Sequence, residues 1–264
     1  APPTSPAPPA PPAPPLPLLL LYPTIKAWTE FNSNKPMSVA DDKTVVRDYF
    51  NSTGFDRWRR IYGNGQVNKV QLDIRQGHQQ TVDRVIDWLT ADGNLPGLTI
   101  CDAGCGVGSL SIPLAEAGAV VYGSDISEKM VEEAYERAKN RLNVIQRVSF
   151  TAQDLETLQG RYDTVICLDV LIHYPQQQIA EMIAHLCSLA ESRVILSFAP
   201  KTLALSILKK IGELFPGPSK TTRAYQHREA DIVKIFSDNG FSIQRQAMIG
   251  TRFYFSRLME ATRS

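Results

Sequence analysis

Residues 102–108 read DAGCGVG, an aspartate followed by glycine at 104, 106 and 108. A backbone that bare can take positive φ or admit a ligand directly against the chain. The loop follows the apolar run LTIC and precedes SLSIPLAEAG, so it joins a strand to a helix, the context in which such loops cradle nucleotide-like ligands. A second acid, Asp125, closes VVYGSDIS roughly 20 residues on, where a carboxylate can accept both hydroxyls of a ribose. A third, Asp154, ends SFTAQD; its other use there is to cap the turn LETL. A dinucleotide site wants G-x-G-x-x-G, the last glycine allowing helix and strand to close around a pyrophosphate. That place is Ser109, so the dinucleotide pattern is not met.

Three acids can meet only if they end strands of one sheet on the same edge. Strand candidates are LTICD, AVVYGSD, RVSFTAQD, YDTVICLD and RVILSFAP, most of them separated by helical stretches. HQQTVDRVIDWL puts Val82, Val85, Ile86 and Leu89 on one stripe, and QQQIAEMIAHLCSLA repeats Ile179, Met182, Ile183 and Leu186 at core spacing. SEKMVEEAYERAKNRL pairs Glu133 with Arg137 at i,i+4. Valine- and isoleucine-rich strands alternating with helices predict an α/β, Rossmann-like doubly wound sheet, mostly parallel, which binds ligands at its carboxyl edge. The end departs from that rhythm. READIVKIFSDNG stops at Gly240, and FSIQRQAMIG and TRFYFSRL follow with only a turn at Gly250, so these two strands are antiparallel. Upstream, DDKTVVRDYFNSTGFDRWRRIYG predicts an N-terminal helical segment in pieces.

The chain has 264 residues and a net charge of +1, enough for one or two domains and without the basic excess of a nucleic-acid binder. Cysteines at 101, 105, 167 and 187 form no CxxC pair and no metal-ligand spacing, which predicts reduced thiols and no protein-bound metal. Residues 1–36, opening APPTSPAPPAPPAPPLPLLLLYP, are proline-dominated and cannot build a core. They read as a linker or foreign segment, with Met37 as a natural start and 37–264 as the domain. LPLLLLYP is too short to span a bilayer, and no signal or transit peptide is recognisable.

A parallel sheet ending in an antiparallel hairpin resembles the class I S-adenosylmethionine-dependent methyltransferases, and DAGCGVG resembles their D/E-x-G-x-G-x-G loop. The resemblance implies that Asp102 orients the ammonium of S-adenosylmethionine and that Gly104, Cys105, Gly106 and Gly108 admit its amino acid and ribose portions. It further implies Asp125 on the ribose, Asp154 at the adenine amino group, Leu155 at the same ring, and Ile126 and Leu168 as apolar neighbours. The acceptor side is set by the end of the fourth strand, CLDVLIHYP. It lacks the Asn/Asp-Pro-Pro-aromatic motif of amide and exocyclic-amine methyltransferases. His173 is the best polar candidate to meet the acceptor, against the alternative of a helix-start histidine bonded to backbone. His185 sits in an apolar stripe and reads as structural; His78 and His227 have no evident partner.

YFNSTGFDRWRRIYGNGQVNKVQLDIRQGHQQTV, with ICDAGCGVGSLSIPLA and CLDVLIHYP, closely resembles the magnesium-protoporphyrin IX methyltransferases of chlorophyll synthesis, from about Asp42 to the C-terminus. The resemblance implies methylation of one propionate of magnesium-protoporphyrin IX, with the magnesium belonging to the substrate. Tyr62 would close over the methionine end of the cofactor, unless its ring is simply core. The helical cap is placed at 42–77 and a lid insertion at 201–228, where apolar residues accompany Lys209, Lys210 and Arg223 as candidate propionate partners. A magnesium chelatase subunit is a candidate partner, and membrane association is expected to be peripheral at most. A cyanobacterial origin implies cytoplasm beside the thylakoid; a plant origin implies the plastid. The competing readings are a methyltransferase for a quinone or phenol, and a non-catalytic binder of porphyrin or S-adenosylmethionine.

Overall fold

The structure, a computed structural model, describes residues 39–93, 95–201 and 225–264. The proline-rich head and nearly all of the expected lid, including Lys209, Lys210 and Arg223, lie outside them.

Three helices come first: α1 (Val39–Asn51), α2 (Thr53–Ile61) and α3 (Lys69–Ala91). The boundary placed at residue 77 is not a boundary, because α3 runs through it unbroken. Asn68 starts that helix with a capping box: its side chain accepts from Gln71 N at 2.9 Å, and the Gln71 side chain accepts from Asn68 N at 3.3 Å. No breaker follows before Gly93. Gly77 is tolerated within it for a packing reason, since a Cβ there would stand 2.3 Å from the Tyr254 ring.

The described residues then form β1 (Thr99–Ala103), α4 (Ser111–Glu116), β2 (Val120–Asp125), α5 (Glu128–Ala138), α6 (Leu142–Ile145), β3 (Val148–Ala152), β4 (Tyr162–Cys167), α7 (Gln176–Leu189), β5 (Ala190–Phe198), α8 (Glu229–Asp238), β6 (Phe241–Gly250) and β7 (Phe255–Arg263). The sheet order is β3-β2-β1-β4-β5-β7-β6. Strands β1 to β5 pair in parallel, and β7 runs antiparallel to both β5 and β6. The last strand, expected from Thr251, starts at Phe255. Asp73 of α3 holds residues 251–254 in a turn, accepting from Thr251 Oγ1 at 2.6 Å and from Phe253 N at 2.7 Å.

Central strands are apolar throughout because both faces are covered. Cys101, Ala103, Val165, Cys167 and Leu196 face one core with α7 and α8, while Ile100, Val121, Ile166 and Ile195 face the other with α3 and α4. The order reverses between β2-β1 and β4, so the loops after β1 and β4 diverge and leave a crevice at the carboxyl edge. Among the described residues no helix is long and apolar enough to cross a membrane, and no cluster of His, Cys, Asp and Glu is placed to hold a metal.

Candidate active site

The crevice is a cleft of about 1120 Å³, open solvent at its mouth included, and its floor is the glycine loop. Gly104, Gly106 and Gly108 all have positive φ, at 89°, 52° and 78°. The loop is pinned to β2: Gly104 N and Cys105 N donate to Ser124 O at 2.7 and 2.8 Å. Gly106 N donates to Asp125 Oδ2 at 3.0 Å, and Ser127 N to Asp125 Oδ1 at 2.9 Å. A Cβ at Gly104 would lie 2.1 Å from Val170, whereas beside Gly106 there is open space. Gly108 stands back from the cleft and packs on Ile112 and Phe150. The loop therefore leaves backbone bare where the cleft begins.

Two carboxylates lie on this floor. Ser111 Oγ donates to Asp102. Burial, together with the nearby charge of Asp125, pushes the Asp102 carboxyl up to about 6. Burial likewise raises Asp125 to about 6, against the two backbone N–H donors that favour its charge. A buried acid such as Asp102 has an unmet demand for a positive partner.

Asp154 is elsewhere. Its side chain accepts from Glu156 N at 3.1 Å, capping the turn Leu155–Thr157, and pairs with Lys43 at 3.4 Å. The cleft wall at this place is Gln153 and Leu155, with Ile126 and Leu168 also lining it. Of the expected cofactor residues, Asp102, Gly104, Cys105, Gly106, Asp125, Ile126, Leu155 and Leu168 come together; Gly108 and Asp154 do not reach the wall.

The N-terminal helices roof the cleft with Val46, Phe50, Trp58 and Tyr62. Lys43 ties α1 to Glu156, and Ser127 Oγ donates to Asn51 Oδ1 at 2.8 Å. The end of α2 is clamped by two arginines. Arg137 donates to Tyr62 O at 2.8 Å, and Arg75 to Ile61 O and Arg60 O, each at 2.7 Å. Cations at a helix C-terminus satisfy the last carbonyls and oppose the dipole. Tyr62 is thereby fixed in the roof, its ring 5.3 Å from Trp58 and 4.3 Å from His78. Burial, with the charges of Asp169 and Asp125, holds its hydroxyl well above the ordinary range, so it stays neutral.

His173 ends the short turn Leu171–His173 after β4 and lies edge-on to Phe50 at 5.3 Å. Burial depresses it to about 4, against the nearby charge of Asp169, so its ring is neutral at pH 7. Its Nδ1 is buried with no partner among the described residues, so that nitrogen is not the backbone-bonded group of the alternative. The turn is braced from below by His227, whose Nε2 lies 3.0 Å from Leu171 O and Nδ1 2.9 Å from Gln176 Oε1. His185 is structural, bonded to Leu158 O at 3.0 Å.

The cleft also holds residues that sequence reasoning passed over: His78, Asp169 and Tyr254. His78 stands four residues after Ile74 on α3, and both face the cleft, a helical spacing that was available as a signal. Tyr254 reaches Asp169 only because β7 lies beside β5, a long-range pairing with no local sign.

Comparison with known proteins fits this geometry. A family model described as magnesium-protoporphyrin IX methyltransferase C-terminus matches residues 167–263, and a general methyltransferase domain matches 100–192. A magnesium-protoporphyrin O-methyltransferase of Synechocystis is 73% identical over 224 residues, covering 85% of this chain and 97% of that protein. The chain belongs to the magnesium-protoporphyrin IX methyltransferase family. A chloroplastic member from Arabidopsis thaliana is 60% identical, covering 83% of this chain and 71% of its own length. A crystal structure of the Synechocystis methyltransferase with bound S-adenosylhomocysteine superimposes with a TM-score of 0.79 at 71% identity, covering 84% of this chain and 100% of that one. Another, with bound S-adenosylmethionine, gives 0.76 at 63% identity and covers 88% and 100%. Family membership thus accounts for the mostly parallel sheet with its antiparallel end.

Proposed function

We propose that this chain transfers a methyl group from S-adenosylmethionine to a propionate carboxylate of magnesium-protoporphyrin IX, giving the monomethyl ester and S-adenosylhomocysteine. The observation that carries the reading is the cleft itself, in which the buried Asp102 and half-buried Asp125 beside a bare glycine loop face an aromatic roof flanked by histidines. The residues present fit the cofactor: the backbone at Gly106 stands against open space, Asp102 is a buried carboxylate that an ammonium would satisfy, and Asp125 is an acceptor for hydroxyl donors. When bound, S-adenosylmethionine supplies a methyl group activated on a sulfonium sulfur.

Asp102 binds the ammonium of the methionine portion and Asp125 the ribose hydroxyls, each as a charge-assisted bond. Leu155, Ile126 and Leu168 give apolar surface to the adenine. A propionate is ionised at neutral pH, its reference pKa being about that of Glu, ~4.3. No strong base is needed, and the neutral His173 suits an orienting role. The chain accelerates transfer by holding the acceptor oxygen in line and by excluding water under the roof of Phe50, Trp58 and Tyr62. Lys209, Lys210 and Arg223 are proposed as partners of the propionate not being methylated.

The test is mass spectrometry after incubation with magnesium-protoporphyrin IX and isotopically labelled S-adenosylmethionine. A single labelled methyl ester is expected; its absence, with both ligands bound, would leave a binding protein. A peripheral position at a photosynthetic membrane and a chelatase subunit as partner belong to the same proposal. Co-sedimentation with vesicles and with the purified subunit tests them, and recovery of neither complex removes both.

A further inference from the structure

His78 Nδ1 lies 3.0 Å from Asp169 Oδ2, while its Nε2 is buried and has no partner among the described residues. A buried nitrogen left unbonded is costly, so a ligand atom that meets it is worth having. Asp169 is held from several directions. Tyr254 O–H donates to its two oxygens at 3.0 and 2.9 Å, Ser197 Oγ donates to Oδ1 at 3.0 Å, and Asp169 N donates to Ser197 Oγ at 2.8 Å. Its φ is 57°, a left-handed conformation uncommon for residues with a side chain, though aspartate is among those that adopt it most readily. Burial pushes its carboxyl up, but the bonds from His78, Tyr254 and Ser197 and the charge of His78 outweigh this and hold it below the ordinary range. An ionised carboxylate only accepts, so Nδ1 keeps its proton in every form of the ring. Nε2 is the atom left to meet a ligand.

We propose that His78, fixed by Asp169, binds the acceptor: its imidazolium donates Nε2–H to an oxygen of the substrate carboxylate, and Asp169 is the positioning residue. The inference rests on the function proposed above and deepens it. The acceptor is an anion entering a cleft that already contains the carboxylates of Asp102 and Asp125. A bare Nε2 lone pair would repel it, whereas an N–H binds it. The groups facing the ring are the carboxylates of Asp169 and Asp102 and the hydroxyl-bearing rings of Tyr62 and Tyr254, all compatible with a positive imidazole. Paired with Asp169 it adds no net charge. His173 complements it from the other end of one aromatic wall. The contacts run His173–Phe50 at 5.3 Å, Phe50–Trp58 at 6.3 Å, Trp58–Tyr62 at 5.3 Å and Tyr62–His78 at 4.3 Å. Each terminal imidazole holds a buried, unbonded nitrogen in the same cleft.

The experiment uses the full chain as wild type, His78→Gln and Asp169→Asn. Affinity for S-adenosylhomocysteine is measured by calorimetry, and affinity for magnesium-protoporphyrin IX and for its dimethyl ester by fluorescence quenching, all at pH 7. His78→Gln should weaken binding of the diacid at least about tenfold at pH 7, the scale of one charge-assisted bond. Binding of the dimethyl ester and of S-adenosylhomocysteine should stay within about twofold of wild type. Asp169→Asn, which removes the carboxylate that fixes the ring, should also weaken the diacid selectively, leaving the diester and S-adenosylhomocysteine within about twofold of wild type. Diacid affinity within twofold of wild type in His78→Gln, or equal weakening of diacid and diester in either variant, would overturn the assignment. Loss of S-adenosylhomocysteine binding in His78→Gln would make the residue structural and overturn it equally. Failure of the wild type to methylate the diacid is a separate result, and it sinks the proposed function instead.

Discussion

Replacing Asp102 by Asn should make the ligand-free protein more stable, a gain that the bound cofactor should cancel in most part or entirely. Burial raises this carboxyl from its ordinary 3.8 to about 6, so above pH 7 the native state carries a charge it would rather neutralise. At about 1.36 kcal/mol per pKa unit the penalty is about 3 kcal/mol. Asn removes the charge and can still accept from Ser111, at a cost of about 1 kcal/mol for its poorly bonded amide. The net gain of about 2 kcal/mol corresponds to a rise in melting temperature of about 4–8 °C for a chain of this size. The sign of the pH dependence follows from linkage. Between the unfolded and folded values, roughly pH 4 to 6, the native state binds more protons than the unfolded one, so wild-type stability falls as pH rises through that window. The variant lacks this group, so its advantage over wild type is largest at pH 8 and roughly 1.5 kcal/mol smaller at pH 5. The cofactor should cancel most or all of this gain, since loss of a charge-assisted bond of about 1.5–3 kcal/mol weakens S-adenosylhomocysteine about 10- to 150-fold. Thermal denaturation of both proteins at pH 5 and 8, with and without S-adenosylhomocysteine, measures all of this. A variant less stable than wild type at pH 8 without ligand would refute the burial argument; equal ligand protection of both would remove Asp102 from the ammonium site.

His173→Ala should lower kcat with S-adenosylhomocysteine affinity nearly unchanged, since an ionised acceptor needs orientation more than deprotonation; wild-type turnover would exclude the residue. Tyr62→Phe should be milder than Tyr62→Ala in steady-state assays, because the ring is what fills the space between Trp58 and His78; equal losses would point to the hydroxyl. Gly77→Ala gains helix propensity, yet its Cβ would stand 2.3 Å from the Tyr254 ring, so urea titration should show a net loss of about 1–2 kcal/mol and the displaced tyrosine should reduce activity. Joint replacement of Lys209, Lys210 and Arg223 by Gln should raise KM for the porphyrin while leaving S-adenosylmethionine affinity alone; an unchanged KM would end their proposed role.

The parts of this molecule that could be read in the sequence are those encoded locally. Strand β1, its glycine loop and α4 form one continuous run, and the apolar content of β1 to β5 follows from burial on both faces. Even there, spacing went only so far. Asp154 ends its strand segment in register with the other acids, but two residues beyond β3 its backbone turns, and the carboxylate caps the turn Leu155–Thr157 and meets Lys43 instead of the cleft. The start of β7 was misplaced for a related reason. TRFYF has strand composition, but Asp73, nearly 180 positions earlier, captures its amides in a turn.

The acceptor side was hardest to read because its groups have meaning only through contacts between distant segments. Asp169 attracted notice only for failing to match an amide-methyltransferase motif. In the fold it gathers His78 from α3, Tyr254 from the last hairpin and Ser197 from β5, from 91, 85 and 28 positions away. Each of those elements has an independent reason to be there: α3 covers the sheet, β7 pairs with β5, and β5 is core. The carboxylate therefore needs no local motif, since the sheet order brings its partners to it. The left-handed backbone at Asp169 turns this into a functional argument. A strained residue serving only the core would be replaced at no loss by glycine, or by asparagine in the same conformation. What asparagine cannot do is stay negative beside His78, and a negative partner is what fixes Nδ1–H toward Asp169 and leaves Nε2 turned to the cleft where an anionic acceptor arrives.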